Sequence, residues 1–403
     1  MVIGIDASRA NLKRKTGTEW YSFYLIKNLA KIDLENKYIL YLNSPASSEL
    51  VKAVEHNPNF SFKLLNWPLA SFWTLGRLTL EMIVKRPDIL FIPAHTMPLC
   101  YPRRTVNTIH DIAFVRERNL YRSSGVKTGG VFSKKIIEIL VRIFTLGKYQ
   151  SESLDYLYWS TDFALRRAKK IITVSEFTKS EILDVYPKTK AEKVKVVHNG
   201  YNNSLYRVID DSKKTTAVLE RYGLEAPYFL YAGRIEKKKN IPALIEAMAM
   251  LRENRPDIKE KMVLIGDASF GYDEVKYVIA EFGLDYDVIM PGWVDEEDMP
   301  YVFNGAKAFI FPSKHEGFGI PILQAMACGV PTAVSDIPVF KEVASDATLY
   351  FDHNDKQAMA SALARLGSDN DLLAELRSKG LERVKNFSWE KCARETLAEI
   401  VKT

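Results

Sequence analysis

Short apolar runs alternating with helical periodicity constrain this sequence more than any other feature. The runs lie at 2–6, 37–42, 88–92, 104–109, 170–174 and 194–198, with a helix-length stretch before most of the next ones. Several end in a small or polar cluster just before a helical pattern, as Ser175 does before 177–185. A parallel neighbour can be reached only by crossing back over the sheet, so this alternation predicts βαβ units with helices on both faces. The pattern restarts at 228–231, then 261–265, 288–290, 308–311 and 332–334. The polar stretch 201–226 between the two series reads as a seam. The expected architecture is α/β, two doubly wound parallel-sheet domains, with ligands near the carboxyl ends of the strands.

Charge divides at the same place. The net charge of +6 splits into +13 over residues 1–200 and −7 over 201–403. A basic half attracts phosphates, anionic lipid or nucleic acid without choosing among them. No recognisable nucleic-acid module accompanies it, so nucleic acid is not an expected partner. With 47% hydrophobic residues the chain is globular, and its three cysteines, far apart and odd in number, suit a reducing compartment. The N-terminus runs straight into Val2-Ile3-Gly4-Ile5 without a basic leader. No uncharged apolar run approaches the roughly 18–20 residues of a spanning helix. A soluble or peripheral protein is expected.

One segment is out of keeping with a short connection. Residues 127–148 read as a helix apolar over most of its circumference, with Lys127, Lys134, Lys135, Arg142 and Lys148 against Glu138 alone. It suits an anionic membrane surface, or else packing on the domain or on a second copy.

The sharpest motif is Phe311-Pro-Ser-Lys-His-Glu316-Gly317-Phe318-Gly319-Ile320-Pro321, a strand, a glycine-rich turn and a helix start. Pro321 fits the first helical turn, and the glycines let a ligand approach amides that suit an anion. Glu316 would repel phosphate there but would hold sugar hydroxyls; a plain strand–helix turn with a solvated acid is the alternative. The second motif, Gly233-Arg234-Ile-Glu-Lys237-Lys238-Lys239-Asn240, also links a strand to a helix. Arg234 and Lys239 could clamp a diphosphate and stabilise it as it leaves, unless the loop is merely solvated. In the first half, His110-Asp111 closes a strand. Adjacent strand side chains point to opposite faces, so one of the two faces the crevice and they form no catalytic dyad. Gly17 lies between the first strand and a helix, where its backbone could meet a phosphate. No G-x-G-x-x-G follows the first strand, and neither a P-loop nor H-E-x-x-H occurs, which argues against nicotinamide, P-loop and zinc chemistry. No metal or cofactor is expected.

These residues resemble the retaining glycosyltransferases of family four, which have the GT-B fold of two Rossmann-like domains facing a central cleft. The likeness rests on HEGFGIPILQAMACGVP, GRIEKKKNIPALIEAM and TIHDIAF, and extends through TVSEFTKSEI, VVHNGYN, PGWVDEEDMPYVFNGAKAFIFPS and FSWEKCARETL. GIDASR and HDIAF lean towards mannosyltransferase-like members. The resemblance implies an acceptor domain over 1–202, a nucleotide-sugar domain over 203–385, and a helix over 386–403 that returns to the first domain. It implies that Arg234 and Lys239 hold the diphosphate and that Glu316 holds hydroxyls of the donor hexose. By the same resemblance Gly317, Phe318, Gly319 and Ile320 line the sugar and phosphate, and Gly292, Trp293 and Val294 lie near the base. His110 would stand near the reacting sugar and Gly17 in the loop over the diphosphate.

One departure matters. The family's E-x(7)-E motif should place its second acid at 324, where this chain has Gln324. An amide carbonyl accepts weaker hydrogen bonds from ribose hydroxyls than a carboxylate does. The implied activity is transfer of a mannose- or glucose-type hexose from a GDP- or UDP-linked donor to a glycan or lipid-linked acceptor. The setting would be cell-envelope polysaccharide or glycolipid synthesis, in the cytoplasm or on the inner face of the membrane. A non-catalytic nucleotide-sugar binder and a GT-B epimerase are the alternatives.

Overall fold

The computed structural model describes residues 1–68, 72–116, 153–269 and 271–403. The helix expected over 127–148 lies outside them. The described residues divide into two compact units, residues 1–199 with 389–403, and residues 200–388.

The first unit is built on seven parallel strands among the described residues: β1 (Val2–Asp6), β2 (Lys37–Leu42), β3 (Phe60–Leu64), β4 (Ile89–Ile92), β5 (Thr105–Ile109), β6 (Lys170–Thr173) and β7 (Val194–Val196). Their order is β3-β2-β1-β4-β5-β6-β7. The second unit has six: β8 (Tyr228–Ala232), β9 (Lys261–Ile265), β10 (Val288–Gly292), β11 (Ala306–Phe311), β12 (Thr332–Ser335) and β13 (Leu349–Phe351), ordered β10-β9-β8-β11-β12-β13. Every described pairing is parallel. In each sheet the winding reverses between adjacent central strands, β1 beside β4 and β8 beside β11. Helices on opposite faces diverge at such a point and leave the carboxyl ends accessible.

The central strands are buried along their whole length, as β4, β5 and β8 are. Helices cover both of their faces, which is why β4 and β8 read as unbroken apolar runs. The β3 and β13 strands fall outside the apolar runs of the sequence. Both are sheet edges; β3 exposes Ser61 and Phe62, and β13 has three residues. The polar stretch 201–226 holds the helix Ser212–Arg221, capped by Asp211 Oδ1 accepting from Lys214 N at 2.9 Å.

The last helix, Trp389–Val401, packs against the first unit. Trp389 stacks on Tyr24 of helix α1 (Gly17–Ile32), with ring centroids 5.5 Å apart and planes at 16°. Lys170 of β6 reaches Glu399 at 2.6 Å. The indole N–H of Trp389 is buried with no hydrogen-bond partner among the described residues. Trp389→Ala is therefore expected to cost about 3–5 kcal/mol through the cavity it leaves. Trp389→Phe keeps much of the stack and removes the unpaired donor, so it should cost clearly less. Chemical unfolding of the two variants checks this order.

Candidate functional site

In the second unit, two strand–turn–helix connections meet at the winding reversal. The first leaves β8 through Gly233 and Arg234, makes a 3₁₀ turn at Lys237–Lys239, and enters the helix Ile241–Asn254. The second leaves β11 through Ser313 and Glu316 and enters the helix Ile320–Ala327. Lys314 N donates to Lys238 O at 2.9 Å and joins the two loops.

Lys239 and Glu316 form an ion pair with each side chain about nine-tenths buried. Lys239 Nζ also lies 5.1 Å from the centre of the Phe311 ring. Burial pushes the Glu316 carboxyl up, but the charges of Lys239 and then Lys238 outweigh it and hold the acid below the usual 4.5. Glu316 is therefore an ionised acceptor at neutral pH. Arg234 is about half exposed and sits 3.8 Å from Glu236. The turn thus presents one exposed guanidinium beside one buried, already neutralised cation.

Gly319 caps the second helix at φ +107, a left-handed conformation that a side chain would strain. The first amides of a helix lack intrahelical partners, so its start suits an anion or a hydroxyl oxygen. Gly317 and Phe318 are buried in the turn, Ile320 opens the helix, and Gln324 lies half-exposed one turn further on. A Cβ at Gly266 would fall 1.9 Å from the Gly233 carbonyl oxygen. Only glycine fits there, and Gly233 N donating to Ile265 O at 2.9 Å holds the ends of β8 and β9 together. Gly292 ends β10, on the far side of β9 from β8, and its carbonyl accepts from Gly266 N at 3.1 Å. Val294 is buried and Trp293 half-buried beyond it. This unit brings together Arg234, Lys239, Glu316 and Gly317 to Ile320; Gly292 to Val294 stand two strands away from β8.

In the first unit His110 follows β5, one strand beyond the β1–β4 winding reversal. Its Nε2 is 2.9 Å from the Pro93 carbonyl, which can only accept, so Nε2 carries the proton. Burial, and then the neighbouring His95 ring 6.1 Å away, pull its pKa down to about 4. The ring is neutral at pH 7 and its Nδ1 is an acceptor. Asp111 Oδ1 accepts from Ala113 N at 3.3 Å. Gly17 opens α1, and a Cβ there would meet nothing within 4 Å. Packing within the described residues does not require glycine at 17.

Sequence reasoning missed three groups here. His95 lies three residues past β4 and donates from Nε2 to Asp111 O, 2.8 Å away; its position after a buried run was the available signal. Glu19 takes Thr16 N at 3.2 Å and pairs with Arg9 at 3.0 Å, and T-x-x-E before an apolar run announces such a helix start. Asp6 ends β1 and is buried. Burial raises its pKa against the hydrogen bonds from Ser8.

The sequence model for Glycosyltransferase Family 4 matches residues 15–205, and that for group 1 glycosyl transferases matches residues 220–383. The O-antigen chain mannosyltransferase B of Escherichia coli is 34% identical over 263 residues, 64% of this chain and 67% of that protein. The chain belongs to glycosyltransferase family 4. The O-antigen chain mannosyltransferase RfbU of Salmonella typhimurium is 25% identical over 78% of this chain and 74% of its own length. Among solved structures, Anabaena Alr3699/HepE, in complex with UDP and glucose, matches with a TM-score of 0.70 at 17% identity, covering 100% of this chain and 99% of its own. That likeness concerns the fold, which is GT-B.

Within this family 4 member, the depressed His110 pKa sets a stability signature. The folded state keeps the ring neutral, whereas the unfolded chain takes up a proton below pH 6.5. The contribution is therefore complete above pH 6.5 and is lost as the pH falls towards 4, by at most about 3 kcal/mol. Urea unfolding at pH 7.5 and 4.5 should show His110→Gln losing less stability on acidification than the native chain.

Proposed function

We propose that this family 4 glycosyltransferase moves a mannose- or glucose-type hexose from a nucleoside-diphosphate sugar to a hydroxyl of a glycan or lipid-linked acceptor. The reaction retains configuration and uses no metal ion, and it serves cell-envelope polysaccharide or glycolipid synthesis. The observation that carries this reading is the buried Lys239–Glu316 pair beside exposed Arg234, set against a glycine-capped helix start. Cations and helix amides suit a diphosphate, and an ionised carboxylate among them suits hydroxyls. A relative of this chain is an O-antigen mannosyltransferase and a structural neighbour was solved with UDP and glucose; both support the reading.

On this assignment residues 200–388 hold the donor and the first unit holds the acceptor. The anomeric C–O bond to the diphosphate breaks as the acceptor oxygen bonds on the same face, and the acceptor proton passes to the leaving phosphate oxygen. Arg234 and Lys239 stabilise the charge that grows on the diphosphate, supplying in fixed form what a divalent ion would otherwise supply. Neutral His110 accepts a sugar hydroxyl through Nδ1. Gly17 brings its backbone to the diphosphate, and Gly292 to Val294 meet the base. The protein works in the cytoplasm, peripherally on the inner face of the membrane. Among the described residues no helix is long and apolar enough to cross one.

Donor hydrolysis measured across UDP-, GDP- and ADP-sugars tests the proposal. One responsive donor supports it, and silence throughout favours a protein that binds without catalysis. Arg234→Ala removes an exposed side chain, so turnover should fall about 100-fold at an unchanged melting temperature. Lys239→Ala is a poorer probe, because it strands the Glu316 charge in the interior and costs folding as well. Gly17→Ala should fold normally and lose transfer. In the opposite direction, Gln324→Glu should tighten nucleotide binding about fivefold in calorimetry, because a charged acceptor replaces a neutral one.

A further inference from the structure

The short helix α2 (Thr79–Val84), which continues a π turn at Thr74–Leu78, is turned inside out. Its acid faces inward: Glu81 is 5% exposed and pairs with Lys63 of β3 and, at 3.5 Å, with Arg77. Its aliphatic residues face outward, with Leu80 52%, Ile83 59% and Val84 85% exposed. Positions 80, 83 and 84 fall on one stripe of a helix. Met82, and Leu78 of the preceding turn, join the core cluster among the described residues, both at 0% exposure. Single exposed aliphatics are ordinary on a protein surface, but an aliphatic stripe beside an inward-facing acid is not.

The stripe has a cationic border. Lys85 and Arg86 follow it directly and are exposed. Arg86 donates to Met82 O at 2.6 Å and to Cys100 Sγ at 3.2 Å, which draws the 100–104 segment, with exposed Arg103, alongside. Residues 60–104 hold six Lys/Arg against two Asp/Glu. Glu81 is consumed by its ion pairs, and Asp88 accepts from Val2 N at 2.7 Å.

We propose that α2 is a membrane-contact surface, with Leu80, Ile83 and Val84 entering the headgroup–acyl boundary of an anionic bilayer while Lys85, Arg86 and Arg103 meet its phosphates. Apolar side chains rimmed by cations are what an anionic interface binds, each Lys or Arg adding about 1 kcal/mol near the surface. A second copy is a worse occupant, because a two-fold contact would set this cationic border against its own image. The inference deepens the membrane part of the proposed function and rests on it in taking the acceptor to be lipid-linked.

Flotation of the full chain with phosphatidylcholine vesicles, with and without phosphatidylglycerol, tests it without any donor present. Binding is expected only with phosphatidylglycerol and should weaken as salt rises. Leu80→Ser/Ile83→Ser/Val84→Ser should lower the bound fraction at least about fivefold, and Lys85→Glu/Arg103→Glu about tenfold or more. Both variants change exposed positions, so melting temperature and donor hydrolysis should match the native protein. Native-like vesicle binding by both variants overturns the proposal. So does a fall in molar mass by light scattering in the serine variant, which would assign the face to a second copy. Failure of the transferase reading would show instead as donor hydrolysis absent from native and variant chains alike.

Discussion

A parallel strand can be joined to its neighbour only by carrying the chain back across a face of the sheet, and that places every carboxyl end along one edge. In this protein the constraint operates twice. Where each sheet reverses its winding, helices from opposite faces part, and the loops leaving adjacent strands are brought side by side. In the first unit β4 borders the reversal with His95 beyond its end, and His110 follows the next strand, β5. The Arg234 and Glu316 loops follow neighbouring strands β8 and β11 in the second. Residues distant in sequence become chemical neighbours because the ladder leaves them nowhere else to emerge.

The strands themselves were easy to read, and for a physical reason. Burial on both faces removes the need for polar residues, so β1, β4 and β8 stand out as unbroken apolar runs. Edge strands carry a weaker pattern: Ser61 and Lys63 interrupt β3, and β13 is too short for any periodicity to develop. The motifs located both loops of the second unit, because glycine, proline and charge at a strand–helix junction restrict what a turn can do.

Sequence did not reveal how those loops interact. Lys239 and Glu316 are 77 positions apart, and in sequence they suit separate tasks, one towards phosphate and one towards hydroxyls. That they neutralise each other is a property of the assembled site. The same holds for Gly266, whose necessity comes from a carbonyl oxygen on the neighbouring strand end. It holds also for His110, whose neutrality depends on burial and on the His95 ring.

The ion pair also has a bearing on what the site releases. A bare nucleoside diphosphate could engage Lys239 only by drawing it from Glu316, which would leave the buried carboxylate with the weaker influence of Lys238 alone. On the proposed assignment, a sugar-bearing donor brings hydroxyls for the acid together with phosphates for the lysine, so neither is stranded. Once the hexose has gone, Glu316 competes with the spent diphosphate for its old partner. Exchange of counter-ions at one buried pair would then favour the loaded donor over the product.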